Sequence, residues 1–320
     1  MKIFFASVAT GIAVILTLQQ FPRTAAYVRF MRQQYLAEDR GFLAAILGGA
    51  LLGVGAVLSG SLPEHAAVQL GAGISNGLWT VMGCILGTVV FLLYEQRMRL
   101  WLNRSPVFRE QKLLDSFFRT AYHNIAIPLL LATVTIVTLL EINYPWRTNL
   151  PGLEAYSSYA QDSSLYSYLA MRAWSPIACG IIIGLLQLPA IAILGDMLST
   201  IDGYISLALN LIGMIDTTQV PMSKETIHLR TGVSLWKPIF VLGALVGGYT
   251  SATIAESGQN VGTFNAFRCL LGGFLMLLGA RIAGNKTNSS AVAALSTLSL
   301  VSLPVMFASG TLTAYLLYHP

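Results

Sequence analysis

Apolar runs of bilayer length recur along this chain, and they constrain its fold more than any other feature. IFFASVATGIAVILTL (3–18), GFLAAILGGALLGVGAVL (41–58) and LWTVMGCILGTVVFLLY (78–94) open the series. A helix needs about 20 predominantly apolar residues to cross the hydrocarbon of a bilayer. A soluble domain would have to bury each of these runs on every side. Only 10% of the residues are charged and 55% are hydrophobic, whereas soluble domains carry about 25% charged residues. The pattern excludes a soluble fold and predicts an all-α, polytopic integral membrane protein. In lipid the backbone must satisfy its own hydrogen bonds, which helices do within one segment.

Further apolar runs lie at 124–142, 176–195, 238–254, 264–283 and 295–317, predicting about eight or nine transmembrane helices in one domain, 1–320. The ninth depends on residues 204–215, about 12 residues that are too short to say whether they cross, re-enter or lie at the interface. Residues 3–18 read as a retained first helix, because no small-x-small cleavage site follows in 18–22. Basic residues gather in two connections. Arg23, Arg29, Arg32 and Arg40 make 20–40 a basic loop, and 95–122 holds Arg97, Arg99, Arg104, Arg109, Lys112 and Arg119. Trp101, Phe108, Phe117 and Phe118 interleave with the second group, which reads as an amphipathic helix at headgroup level, either a lipid-sensing arm or an ordinary anchored loop. The connection 143–175 holds only Arg147 and Arg172. The asymmetry puts both basic connections in the cytoplasm and the amino terminus outside. The net charge of +5 therefore reads as topology, and the expected partners are the lipid bilayer and a small solute, with no nucleic acid. The protein is expected in the plasma membrane as the favoured location.

Cys84, Cys179 and Cys269 lie in apolar segments without CxxC spacing, and His65, His123, His228 and His319 are scattered. No disulfide framework, metal site, cofactor or enzyme is expected from them. Function is expected at polar interruptions of the apolar runs, because unpaired backbone at membrane depth persists only beside protein or a water-filled cavity. The first interruption is Ser59-Gly60-Ser61-Leu62-Pro63-Glu64-His65, followed by a short amphipathic piece at 65–73 and the next helix at 77–94. Another, Gly195 to Gly203, is flanked by Asp196 and Asp202 and follows a helix containing Gln187 and Pro189, where a kink is predicted.

A shift of 224 residues lays Leu47-Gly48-Gly49-Ala50-Leu51 on Leu271-Gly272-Gly273-Phe274-Leu275, Gly55-Ala56 on Gly279-Ala280, and Gly60 on Gly284. The second copy also ends in a polar interruption, Gly284-Asn285-Lys286-Thr287-Asn288-Ser289-Ser290. Repeat A then covers about 41–97, repeat B about 264–317, with central helices over about 124–254. Two such breaks suit a pseudo-symmetric transporter with short re-entrant helices. If 204–215 does not cross, the repeat is inverted; if it crosses, the repeat is parallel.

LSGSLPEHAAVQLGAGISNGLWTVMGCILG (58–87) resembles the first signature of the YeeE/YedE sulfur-transport family, particularly its eukaryotic branch. LGARIAGNKTNSSAVAALSTLSL (278–300) resembles the second, and Trp174-Ser175-Pro176 through Gln187 resembles the middle segment. The resemblance implies short helices folded back into the membrane and import of a small sulfur-containing anion such as thiosulfate, passed along by cysteines at the breaks. Here Leu62 and Lys286 stand at the cysteine positions, Glu64 at a glycine and Ser290 at a histidine. Thiols are weak donors suited to a soft anion, whereas leucine donates nothing and Glu64 repels anions unless paired or protonated. Substrate contacts are therefore expected from Ser59, Gly60, Ser61, Leu62, Glu64, Gly284, Asn285, Lys286, Thr287, Asn288, Ser289 and Ser290. Glu64 and Lys286 form an ion pair across the pathway in one reading; in the other Glu64 lies outside in water and Lys286 snorkels to the interface. The alternative function is a transport-inactive relative serving as a membrane scaffold or partner subunit.

Overall fold

The computed structural model describes residues 2–36, 42–102, 113–146, 174–215, 235–255, 265–284, 291–299 and 302–318. Among these the helices in chain order are α1 (Lys2–Gln20), α2 (Pro22–Leu36), α3 (Phe42–Ser59), α4 (Pro63–Gly71), α5 (Gly77–Leu102), α6 (Leu114–Phe118) and α7 (Tyr122–Asn143). They continue as α8 (Pro176–Leu185), α9 (Thr200–Ile215), α10 (Trp236–Ile254), α11 (Ala266–Ala283), α12 (Ala291–Ser296) and α13 (Ser302–Tyr318). Among the described residues, six helical stretches are long and apolar enough to cross a membrane: α1, Leu43–Gly71, Gly77–Glu95, α7, Pro176–Leu194 and α11. The protein is all-helical over the described residues and built for multi-pass membrane insertion.

Several boundaries differ from the sequence reading, each for a local reason. Residues 22–36, expected as part of a basic loop, form α2, started by Pro22, whose missing N–H is one a helix start leaves unpaired anyway. The helix expected at 77–94 continues to Leu102 and takes up part of the expected headgroup segment; residues 103–112 of that segment lie outside the described residues. The short piece expected at 65–73 starts earlier, at Pro63. The kink at Pro189 is present: α8 gives way to a brief helical turn, Gln187–Pro189, then a π-helical turn, Ala190–Leu194, closed by Gly195 at φ 68°. The helix expected at 295–317 begins later, as α13 at Ser302, and Leu295 and Ser296 belong to the separate α12. Ser296 and Thr297 hydroxyls turn back onto Val292 and Ala293 carbonyls, and Leu298 takes a left-handed φ of 62°, a conformation that ends a helix.

Glycine contacts and ion pairs give the relative directions of several helices. A Cβ on Gly48 would lie 2.5 Å from the Ala283 Cβ, and one on Gly55 would lie 2.5 Å from the Met276 nitrogen. Gly272 faces Ser59, and Gly279 faces Gly48 and Leu52, so α3 and α11 cross in opposite directions at backbone contact. Gly83 and Gly87 meet Leu270 and Phe274, so α5 runs parallel to α11. Gly49 and Gly53 meet Val305 and Ser309, which makes α3 and α13 parallel; Gly180 and Gly184 meet Ala6 and Thr10, which makes α1 and α8 parallel. Lys2 at the start of α1 reaches Glu141 near the end of α7, so those two are antiparallel. Lys237 on α10 pairs with Asp202 on α9, and Gly203 lies against Lys237 and Val241. The chain from Thr200 to Trp236 therefore begins and ends at one end of the bundle.

Among the described residues the helices enclose two large apolar cores and a small one. One joins α1, α2, α7, the π-helical turn and α12 through Val8, Ile12, Ile15, Met31, Tyr122, Ile191, Val292 and Leu298. The other joins α4, α5, α9, α10 and α11 through Ala67, Cys84, Tyr204, Ile205, Val241, Met276 and Ala280. Ala45, Ala283 and Val305 pack where α3, α11 and α13 meet.

Candidate functional site: two broken helices

α3 stops because Gly60 turns left-handed, at φ 62°, which costs glycine nothing. The Ser61 N–H then reaches the Ala56 carbonyl at 3.3 Å, and the Gln69 side chain donates to the Gly60 carbonyl at 3.3 Å. The Ser59 hydroxyl donates to Gly55 O at 2.8 Å and to Ser61 O at 3.3 Å, so carbonyls freed by the break are satisfied inside the protein, as membrane depth requires. Leu62 is extended and Pro63 starts α4 with no side-chain cap. Glu64 sits in the first turn, where a negative charge suits the helix dipole. α4 closes with Gly73 left-handed at φ 76° and Ile74 N–H donating to Gln69 O at 3.1 Å.

The second break has the same order of parts. α11 ends at Ala283, and Gly284 holds φ 138°, ψ 140°, a region closed to side chains with a Cβ. The short α12 follows, then left-handed Leu298 with Ser299 N–H donating to Ala294 O at 3.0 Å, then α13. Gly60 and Gly284, paired by the 224-residue shift, are thus both positive-φ breaks.

Each break lies within the span of the other helix. Ser59 faces Gly272, six residues into α11, and Ala283 faces Gly48, six residues into α3. At 1.5 Å per residue each helix stops roughly 9 Å short of its partner's beginning, and the two ends stand roughly 16 Å apart along the crossing. Of the expected site residues, Ser59 and Ser61 are buried, Gly60 is exposed, Leu62 is 41% exposed and Glu64 is half-buried; Gly284 is buried. Asn285, Lys286, Thr287, Asn288, Ser289 and Ser290 lie outside the described residues. So does any Glu64–Lys286 contact, although the helix ends that lead to the two residues occupy opposite ends of the crossing.

Each short helix rests on a different wall. Val68 and Gly71 of α4 meet Gly248 and Leu245 of α10, and the fully buried Tyr204 of α9 shares that core. α12 lies on α1, where Gly11 faces Ser296, and the Tyr122 hydroxyl donates to Ser296 O at 2.6 Å.

Sequence reasoning missed three charged groupings around these walls. Lys237 binds Asp202 at 2.8 Å and Asp196 at 3.2 Å, while buried Gln187 accepts the Leu198 N–H at 2.9 Å. Arg281, 1% exposed, stacks 4.9 Å over the Phe91 ring, one helical turn from buried Glu95. Arg32 pairs with Asp115 at 2.7 Å and lies 4.4 Å over the Tyr122 ring. One signal was available for the first: Asp196, Asp202 and Lys237 each sit at an end of an apolar segment, where an unpaired charge is costly. Cys84 and Cys269 are buried, Cys179 is half-buried, and all three are free thiols. No group of three His, Cys, Asp or Glu residues among the described residues is placed to hold a metal.

The family model described as sulphur transport matches residues 1–313. The chain belongs to the sulphur-transport family. Within this YeeE/YedE-type sulphur-transport protein, the match takes in both broken helices and the central walls. No curated protein sequence matches it.

Proposed function

We propose that this protein carries a small sulfur-containing anion such as thiosulfate across the membrane, through the two helix breaks in succession. The observation that carries this reading is the α3–α11 crossing. Gly48 meets the Gly279 carbonyl and Gly55 meets the Gly272 carbonyl, and the 224-residue shift turns the first pair into the second. Self-matching contacts of this kind support a two-fold axis, which for antiparallel helices would lie in the membrane plane, as in the inverted arrangement of many transporters. Counting α10 and α13 with the six longer stretches gives eight alternating crossings, with α4 and α12 as re-entrant helices at opposite faces.

Ser59, Ser61 and the α4 amino terminus supply donors at one break. Asn285, Lys286, Thr287, Asn288, Ser289 and Ser290 supply them at the other, with Lys286 drawing the anion in place of a thiol. A scaffold role is favoured by one feature, the apolar Leu62 at the first break where a relaying donor is wanted. Radiolabelled thiosulfate and sulfate uptake into proteoliposomes separates the two. Transport requires saturable uptake that Lys286→Ala abolishes; absence of flux with any sulfur oxyanion, from folded protein, overturns it in favour of the scaffold.

A further inference from the structure

At the end of the bundle where α1 finishes and α7 begins, α2 and α6 present an aromatic and cationic outer face. Phe21, Tyr27 and Phe30, with Phe117 and Phe118, are 49–62% exposed, and Arg23, Arg29 and Arg119 are exposed among them. The opposite face of α2 is anchored: Val28, Met31 and Arg32 are buried. α2 contains no acidic residue, and Asp115, the one acid of α6, is engaged by Arg32. The outer cations thus have no carboxylate on either helix to neutralise them. Aromatic rings beside arginines are suited to the headgroup layer, where the rings sit among acyl carbonyls and guanidinium groups bond phosphate oxygens.

This face is tied to the second break. Arg32 bridges α2 to Asp115 on α6 and stacks on Tyr122, whose hydroxyl donates to the Ser296 carbonyl at the end of α12. The Leu114 N–H donates to Leu298 O at 2.9 Å, and Leu113 bridges to Ser299. Two of these links hold the left-handed closure of α12, at a residue type that rarely adopts it.

We infer that α2 and α6 form a docking platform for anionic phospholipid headgroups, and that its occupancy stiffens α12 through the Arg32–Asp115–Tyr122 link. The test uses the full-length protein in detergent with added phosphatidylglycerol or phosphatidylcholine. Native mass spectrometry is expected to show preferential retention of phosphatidylglycerol, and R23Q/R29Q/R119Q to lose it by about fivefold for each arginine removed. A triple variant that keeps the preference, or a wild type without one, overturns the platform. Amide hydrogen exchange in 291–299 is expected to slow when phosphatidylglycerol binds; in Asp115→Asn the lipid still binds but the slowing disappears. Exchange in 291–299 that is indifferent to bound lipid in the wild type overturns the coupling. Neither readout involves transport, so these outcomes are independent of the substrate reading.

Discussion

Gly48, Gly55, Gly272 and Gly279 hold α3 and α11 at backbone contact, and their effect is testable one methyl group at a time. Gly55→Ala would put a carbon 2.5 Å from the Met276 nitrogen, with backbone rather than a flexible side chain as the obstacle, so a loss of about 1–3 kcal/mol is expected. Gly243→Ala and Gly247→Ala on α10 meet nothing within 4 Å and are expected to be neutral or to stabilise by up to about 1 kcal/mol through helix propensity. Thermal unfolding of the detergent-solubilised protein checks the contrast. Leu298 poses the opposite case. Its left-handed backbone costs about 1–2 kcal/mol, but its side chain is 1% exposed in the first core, and losing a buried leucine costs about 2–5 kcal/mol. Leu298→Gly is therefore expected to destabilise on balance, by about 1–3 kcal/mol in the same assay, despite relieving the backbone. The glycines were legible in the sequence as positions matched by a 224-residue shift, whereas left-handed Leu298 was not, because residue type argues against it and only the surrounding contacts impose it.

At the scale of elements, polar residues decide where apolar helices stop and how they are tied together. At the end of α12 the Ser296 and Thr297 hydroxyls bond their own helix's carbonyls and Leu298 turns left-handed, so the apolar sequence of 295–317 could pass for one helix and yet divide between α12 and α13. Lys237 ties the starts of α9 and α10 to the kinked end of α8 through Asp202 and Asp196, with side-chain exposures of 10%, 13% and 30%. Removing one partner from a buried pair costs about 3–5 kcal/mol, because the other charge stays buried. Lys237→Met, which strands two carboxylates, is expected to approach that loss. Asp202→Asn should cost more than Asp196→Asn, since Asp202 is the shorter and more buried contact. Chemical unfolding of the three variants would test this ranking, and equal losses from both aspartate changes would refute it. The sequence displayed the two aspartates but not their lysine, 35 residues beyond Asp202, because hydropathy records that a charge needs a partner and not which one packs beside it.

Across the whole molecule, the breaks are expected to open to opposite sides of the membrane. In a background with Cys84, Cys179 and Cys269 replaced, Leu62→Cys, at the exposed position of the first break, and Thr287→Cys should be labelled by a membrane-impermeant maleimide from opposite faces of sealed vesicles. Labelling of both from the same face would rule out the inverted arrangement. Bilayer length and composition determined by themselves that this is a helical membrane protein whose apolar runs are broken by polar stretches, because the hydrocarbon thickness and the need to pair every backbone group leave few other uses for such sequence. Hydropathy is the same read in either direction, however, and carries no record of which way a helix points. Only the tertiary structure decided that α3 and α11 run oppositely, that α9 and α10 start together, and that Lys237, Arg281 and Arg32 find their partners, since each depends on helices distant in sequence meeting at a particular level.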